Sequence, residues 1–129
     1  MNRGARPVTL GQVLISIVIP AFNEAKYLPV SLEAADRSRA VLGQAGWKSE
    51  VIVCDNNSTD ETAAVARANG ARVVFEPFNQ IAASRNAAGR AAKGDWLVFV
   101  DADTQVTPKL FREMMRAMVR DDCLGGGCP

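Results

Sequence analysis

Leu14–Ile19 (LISIVI) and Glu50–Cys54 (EVIVC) decide the fold. Both are apolar, β-branched runs, and polar residues follow each of them closely. A strand with one wet face alternates apolar and polar residues. Runs without that alternation fit strands buried on both sides, as in a parallel sheet covered by helices. Between them Ala21–Lys26 is polar and loop-like, and the first strand is expected to end at Pro20. Pro29 is placed to open a helix carrying Leu32, Ala35, Arg39 and Leu42 at helical spacing, closed by Gly43 and Gly46. Past the second run, Ser58 and Glu61 have the spacing of a capping box. That predicts a helix over about 59–68, stopped by Asn69-Gly70. Arg72–Glu76 predicts a third strand. Asn79–Lys93 predicts an Ala-rich helix closed by Gly94, with Asn86 and Gly89 packing on the sheet. Trp96–Val100 predicts a fourth strand. Thr107-Pro108 caps a helix through Arg120 whose apolar face is Leu110, Met114, Ala117 and Met118. Strands alternating with helices predict an α/β layered fold with a mainly parallel sheet.

A chain of 129 residues with 48% hydrophobic and 22% charged residues fits one folded domain, read as 14–121 between a flexible leader (1–13) and a Gly-rich tail (122–129). Fifteen basic against fourteen acidic residues leave a net charge of +1, so no nucleic-acid partner is expected and any anion must be bound locally. Val13–Pro20, the longest apolar stretch, is too short to span a bilayer, and the leader lacks the apolar core of a signal peptide. Of three cysteines, Cys54 reads as a small core residue, while Cys123 and Cys128 sit in the tail without the partners of a zinc site. A reducing compartment fits, so the cytoplasm is the expected location, with peripheral membrane attachment left open. The chain has no histidine. That excludes Ser-His-Asp and Cys-His catalysis and leaves proton transfer and metal binding to carboxylates.

Ligands of open α/β sheets bind beyond the carboxyl ends of the strands. Three such ends are acidic here: Asn23-Glu24, Asp55, and Asp101 with Asp103. Any one of them alone reads first as a turn or cap residue. Asp101-Ala102-Asp103 is the most informative, because residues two apart on a strand share a face and could direct two carboxylates to one cation. Such oxygen ligands suit Mg²⁺ or Mn²⁺, whose remaining positions are filled by phosphate oxygens and water. The implied ligand is a diphosphate.

Four blocks, SIVIPAFNEAKYL, EVIVCDNNSTDET, SRNAAGRAAKGDW and LVFVDADT, stand in this order. Through them the chain resembles the family 2 glycosyltransferases of the GT-A fold, a Rossmann-like nucleotide-diphospho-sugar transferase architecture, over nearly everything from Leu14 to Arg120. The resemblance implies an inverting glycosyltransferase using a UDP- or GDP-linked sugar with Mg²⁺ or Mn²⁺. It implies that Pro20, Phe22 and Glu24 line the nucleoside pocket, with Phe22 stacking or simply packing, and that Asp55 hydrogen-bonds the base or ribose. Asp101 would contact the ribose or the metal, and Asp103 would ligate the ion bridging the diphosphate. Arg85 is placed to add positive charge near the phosphates, with a solvated helix face as the alternative.

Family members continue well beyond this length. The chain is therefore expected to be a truncated form of the fold that supplies the donor-binding half, with the general base and the contacts to an unknown acceptor lying elsewhere. The surface left by the missing half is expected to meet a partner chain or to self-associate. A non-catalytic nucleotide-sugar-binding module is the alternative. A response-regulator receiver is disfavoured, because Pro20-Ala21-Phe22-Asn23 replaces its acidic pair. Sugar nucleotidyltransferases and dinucleotide-binding folds are disfavoured by the lack of a Gly-rich loop after the first strand.

Overall fold

A computed structural model describes residues 13–120. The expected Gly-rich tail with Cys123 and Cys128, and the leader up to residue 12, lie outside the described residues. The elements are β1 (Leu14–Ala21), α1 (Leu28–Gln44), β2 (Lys48–Asp55), α2 (Thr62–Ala68), β3 (Arg72–Phe75), α3 (Ile81–Ala91), β4 (Trp96–Phe99) and α4 (Pro108–Arg120). The sheet runs β3-β2-β1-β4, and each neighbouring pair is parallel.

The two decisive runs became the two central strands. Ile15, Ile17 and Ile19 of β1 point into one core with Leu28, Leu32 and Leu42 of α1 and Phe111 of α4. Val18 points the other way, against Cys54 and the Ala87-Ala88 step of α3. Both parities of the strand are therefore buried, and each large aliphatic side chain so placed contributes about 1.5–3 kcal/mol. Cys54 is the buried core residue expected of it, and burial pushes its thiol pKa up. Trp96–Phe99 differs: as an edge strand in this sheet it leaves Leu97 and Phe99 exposed on the α3 side.

Several boundaries moved for identifiable reasons. β1 continues through Pro20 to Ala21, in register with Cys54 and Asp55. The Leu14 and Val18 carbonyls accept from the β4 side, so by alternation the amide that Pro20 lacks would face that same side, beyond the last β4 pair. Gly43 lies within α1, and the left-handed exit is made by Gly46 at φ +83°. The apolar face of α4 is Phe111, Met114, Met115 and Met118, while Leu110 is half exposed. Asn86 is exposed, so Ser84, Ala87 and Ala88 form the buried side of α3.

The amino ends of the strands are latched by Glu50. Its carboxylate accepts from Ser16 Oγ (2.6 Å) and the Lys93 amide (2.7 Å) and pairs with Arg72 (3.0 Å). Burial alone would raise Glu50, but these donors outweigh it and hold the group below its ordinary pKa. Gly94 is required beside this latch, since a Cβ there would lie 2.4 Å from Ser16 Oγ and 2.7 Å from Ser16 N. Among the described residues no helix is long and apolar enough to cross a membrane.

Candidate nucleotide-sugar site

From β1 the chain steps outward to β2 and β3, then returns to place β4 on the other side of β1. The loops leaving β1 and β4 therefore diverge, and their carboxyl ends frame the crevice in which open α/β sheets bind ligands. A cleft of about 360 Å³ occupies that position. Pro20, Phe22 and Glu24 line it from the β1 side, and Phe99, Asp101 and Asp103 from the β4 side. Asn56 and Arg85 also reach it. The structure thus brings together six of the seven predicted site residues.

Asp101 and Asp103 leave β4 on a turn and not on the strand, which ends at Phe99. They still line one cleft, because Ala102 between them is 3% exposed and anchors the turn inward. The Thr104 amide closes the turn on the Asp101 carbonyl at 3.0 Å. Opposite lies half-buried Glu24, whose pKa is raised by burial and then by the charges of Asp103, Asp60 and Asp101. No Lys or Arg pairs with any of these four carboxylates among the described residues. Three lining carboxylates, Glu24, Asp101 and Asp103, against the one Arg85 leave the cleft net negative, which suits a hard divalent cation. No group of three or more His, Cys, Asp or Glu among the described residues is arranged to hold a metal by itself. The donor set therefore fits an ion that takes one or two protein carboxylates and completes its shell with phosphate oxygens and water.

The loop after β1 is fastened by Asn23, which in the sequence stands out only as part of an acidic strand end. Asn23 sits at φ +54°, a left-handed conformation that asparagine tolerates. Its Oδ1 accepts from the Thr59 amide (2.8 Å), the Thr59 hydroxyl (3.2 Å) and the Asp60 amide (3.3 Å). Its own amide donates to Ser58 Oγ at 2.9 Å. That contact displaces the expected capping box: Ser58 is spent on Asn23, α2 begins at Thr62, and Asp60 Oδ1 accepts from the Thr62 amide at 2.9 Å and from the Thr62 hydroxyl. The Thr62 hydroxyl leads the contacts that hold Asp60 below its ordinary pKa.

Asp55 is the predicted site residue that the structure does not bring to the cleft lining. It is 7% exposed, and its Oδ1 accepts from the Ser58 amide at 3.0 Å. The next residue, Asn56, takes the place on the wall. Its Nδ2 donates to the Glu76 carbonyl (3.2 Å) and to the Phe78 carbonyl, tying the loop after β3 to the same rim. The polar run after the second strand was visible in the sequence, but which of its members faces the cleft depends on the turn. Arg85 is exposed on α3 with its guanidinium 5.0 Å from the Phe99 ring centroid. With Phe99 and Asp101 it lines both the cleft and a more apolar cavity of about 500 Å³ that reaches Leu110 and Met114 of α4.

The family model described as glycosyl transferase family 2 matches residues 16–128. An uncharacterized glycosyltransferase of Rickettsia bellii is 35% identical over 82 residues, 64% of this chain and 28% of that protein. One from Mycobacterium tuberculosis is 36% identical over 104 residues, 78% of this chain and 43% of that protein. The chain thus spans less than half the length of these curated relatives. Among solved structures, glucosyl-3-phosphoglycerate synthase from Mycobacterium tuberculosis, in complex with Mn²⁺, UDP and glucosyl-3-phosphoglycerate, is similar with a TM-score of 0.63 at 30% identity, over 83% of this chain and 39% of that one. TarS of S. aureus in complex with UDP gives a TM-score of 0.66 at 23% identity, over 82% and 32%, a likeness of fold. The parallel sheet, the cleft at its switch point and a family match over most of the sequence agree, and the chain belongs to glycosyl transferase family 2 with a GT-A fold.

Proposed function

We propose that this chain forms the donor side of an inverting glycosyltransferase that takes a UDP-linked sugar with Mn²⁺ or Mg²⁺ in the cleft between β1 and β4. What carries this reading is the convergence of the Phe22–Glu24 loop with the Asp101-Ala102-Asp103 turn on one net-negative cleft. UDP is favoured over GDP because the synthase similar at 30% identity holds UDP with Mn²⁺.

In this assignment Pro20, Phe22 and Asn56 flank the base, Glu24 faces the ribose, and Arg85 adds positive charge beside the phosphates. Asp103, with Asp101, would hold the cation. When bound, that cation neutralises negative charge on the departing diphosphate. In the transfer, the acceptor oxygen bonds to the anomeric carbon on the face opposite the diphosphate. The bond to the diphosphate oxygen breaks with its electron pair remaining on that oxygen, and the acceptor proton passes to a base that is not assigned to any described residue. The cytoplasm remains the proposed location, in keeping with the free, buried Cys54.

Titration calorimetry with UDP and GDP, in Mn²⁺ and in EDTA, tests the assignment on the native chain and on Asp103→Ala. UDP is expected to bind more tightly with Mn²⁺, and Asp103→Ala to lose that gain, roughly tenfold or more in affinity. Binding indifferent to both EDTA and Asp103→Ala would overturn the metal assignment. Absence of UDP binding would overturn the donor assignment.

A further inference from the structure

Ser31, near the start of α1, is 3% exposed. A helical serine commonly returns its hydroxyl to the carbonyl four residues back, as Ser38 does to Ala34 at 2.8 Å. Ser31 instead donates across the molecule to the Ala102 carbonyl at 2.6 Å, 71 residues away in sequence. Ala102 is the centre of the acidic turn. The Thr104–Asp101 hydrogen bond closes that turn on itself but ties it to nothing else, and the packing of the Ala102 methyl has no direction. Among the described residues, the Ser31 hydrogen bond is the one directional tie between residues 101–103 and another element. Its donor is rigidly mounted, since Leu28 and Leu32 on either side of Ser31 are locked in the main core.

We propose that Ser31 is a positioning residue for the Asp101–Asp103 pair. Its hydroxyl sets the height and tilt of the turn against α1, and with them the directions of both carboxylates. A buried helix would thereby preorganise a metal and diphosphate site built on a turn. This inference rests on the donor and metal assignment of the cleft.

The test uses the full chain with Ser31→Ala and Ser31→Thr, read in two ways. Hydrogen exchange over residues 101–104 reports the turn without any ligand. UDP titration in Mn²⁺ and in EDTA separates metal-dependent from metal-independent affinity. Ser31→Ala is expected to speed exchange in the turn and to lower the Mn²⁺-dependent gain about tenfold, with affinity in EDTA unchanged within about twofold. Ser31→Thr, which keeps the hydroxyl, is expected to restore both. An unchanged Mn²⁺-dependent gain in Ser31→Ala would sink the positioning role alone. So would an equal fall in both affinities, the mark of general loosening. A native chain that binds no UDP in Mn²⁺ removes the donor assignment, and this inference with it.

Discussion

Replacing Asn23 separates two contributions that the structure combines in one side chain. Asn23 holds a left-handed backbone at φ +54° and, through Oδ1, fastens the β1–α1 loop to Thr59 and Asp60. Asn23→Gly tolerates the backbone angle but deletes the side-chain contacts. The contact to the Thr59 amide is short at 2.8 Å, the other two are longer, and the site is exposed, so their loss is worth about 1–2 kcal/mol in total. Asn23→Ala deletes the same contacts but keeps a Cβ in the left-handed region, a strain of about 1 kcal/mol that Asn23→Gly relieves. Urea unfolding followed by circular dichroism should therefore rank native above Asn23→Gly above Asn23→Ala, with the last about 1–2 kcal/mol below native. Glu24 follows Asn23 directly and its amide donates to Thr62 Oγ1 at 3.0 Å, so UDP affinity in Mn²⁺ should fall in the same order. Equal stability of the two variants would refute the strain argument. Both lying within about 0.3 kcal/mol of native would refute the fastening role altogether.

Arg85→Ala distinguishes a phosphate contact from a solvated helix face. UDP affinity should drop about tenfold at low salt and less at high salt. Stability should hardly change, since an exposed contact with Phe99 is worth only about 0.5–1 kcal/mol. Unchanged affinity at low salt would return Arg85 to the solvated face. Glu24→Gln tests the acidic cleft through pH. The folded-state pKa of Glu24 lies above its ordinary value, so the folded chain binds this proton more tightly than the unfolded one. Ionised Glu24 therefore costs stability, a penalty that develops as pH rises from the unfolded through the folded pKa and is complete above both. Glu24→Gln should be the more stable chain at pH 7.5, by less than about 1 kcal/mol because solvent screens the site, and the advantage should disappear near pH 4. Urea midpoints at the two pH values check this, and an advantage that grows on acidification would contradict the reasoning.

The layered architecture could be read in the sequence because it depends on local pattern. LISIVI and EVIVC lack alternation, and the structure buries both of their faces. Thr107 was identified as a cap from its place before Pro108, and its Oγ1 does accept from the Leu110 amide at 3.1 Å. The acidic pair Asp101 and Asp103 was equally visible, as two carboxylates two residues apart at a strand exit. Side-chain direction in irregular backbone was not. Asp55 turns onto Ser58 while Asn56 lines the cleft, and Ser58 meets Asn23 instead of capping α2. Nothing in the order of these residues says which of two neighbours faces a ligand, because a turn has no fixed period as a strand or helix does.

Strand order was likewise hidden. Placing β4 beside β1 is what opens the crevice, and it brings Glu24 toward carboxylates nearly eighty residues away. The Ser31–Ala102 hydrogen bond exists only once α1 and the β4 exit are packed together. Local pattern was enough to place the strands and helices and to show which carboxylates stand at strand ends. Which of those groups meet was set by long-range packing, which no local pattern encodes.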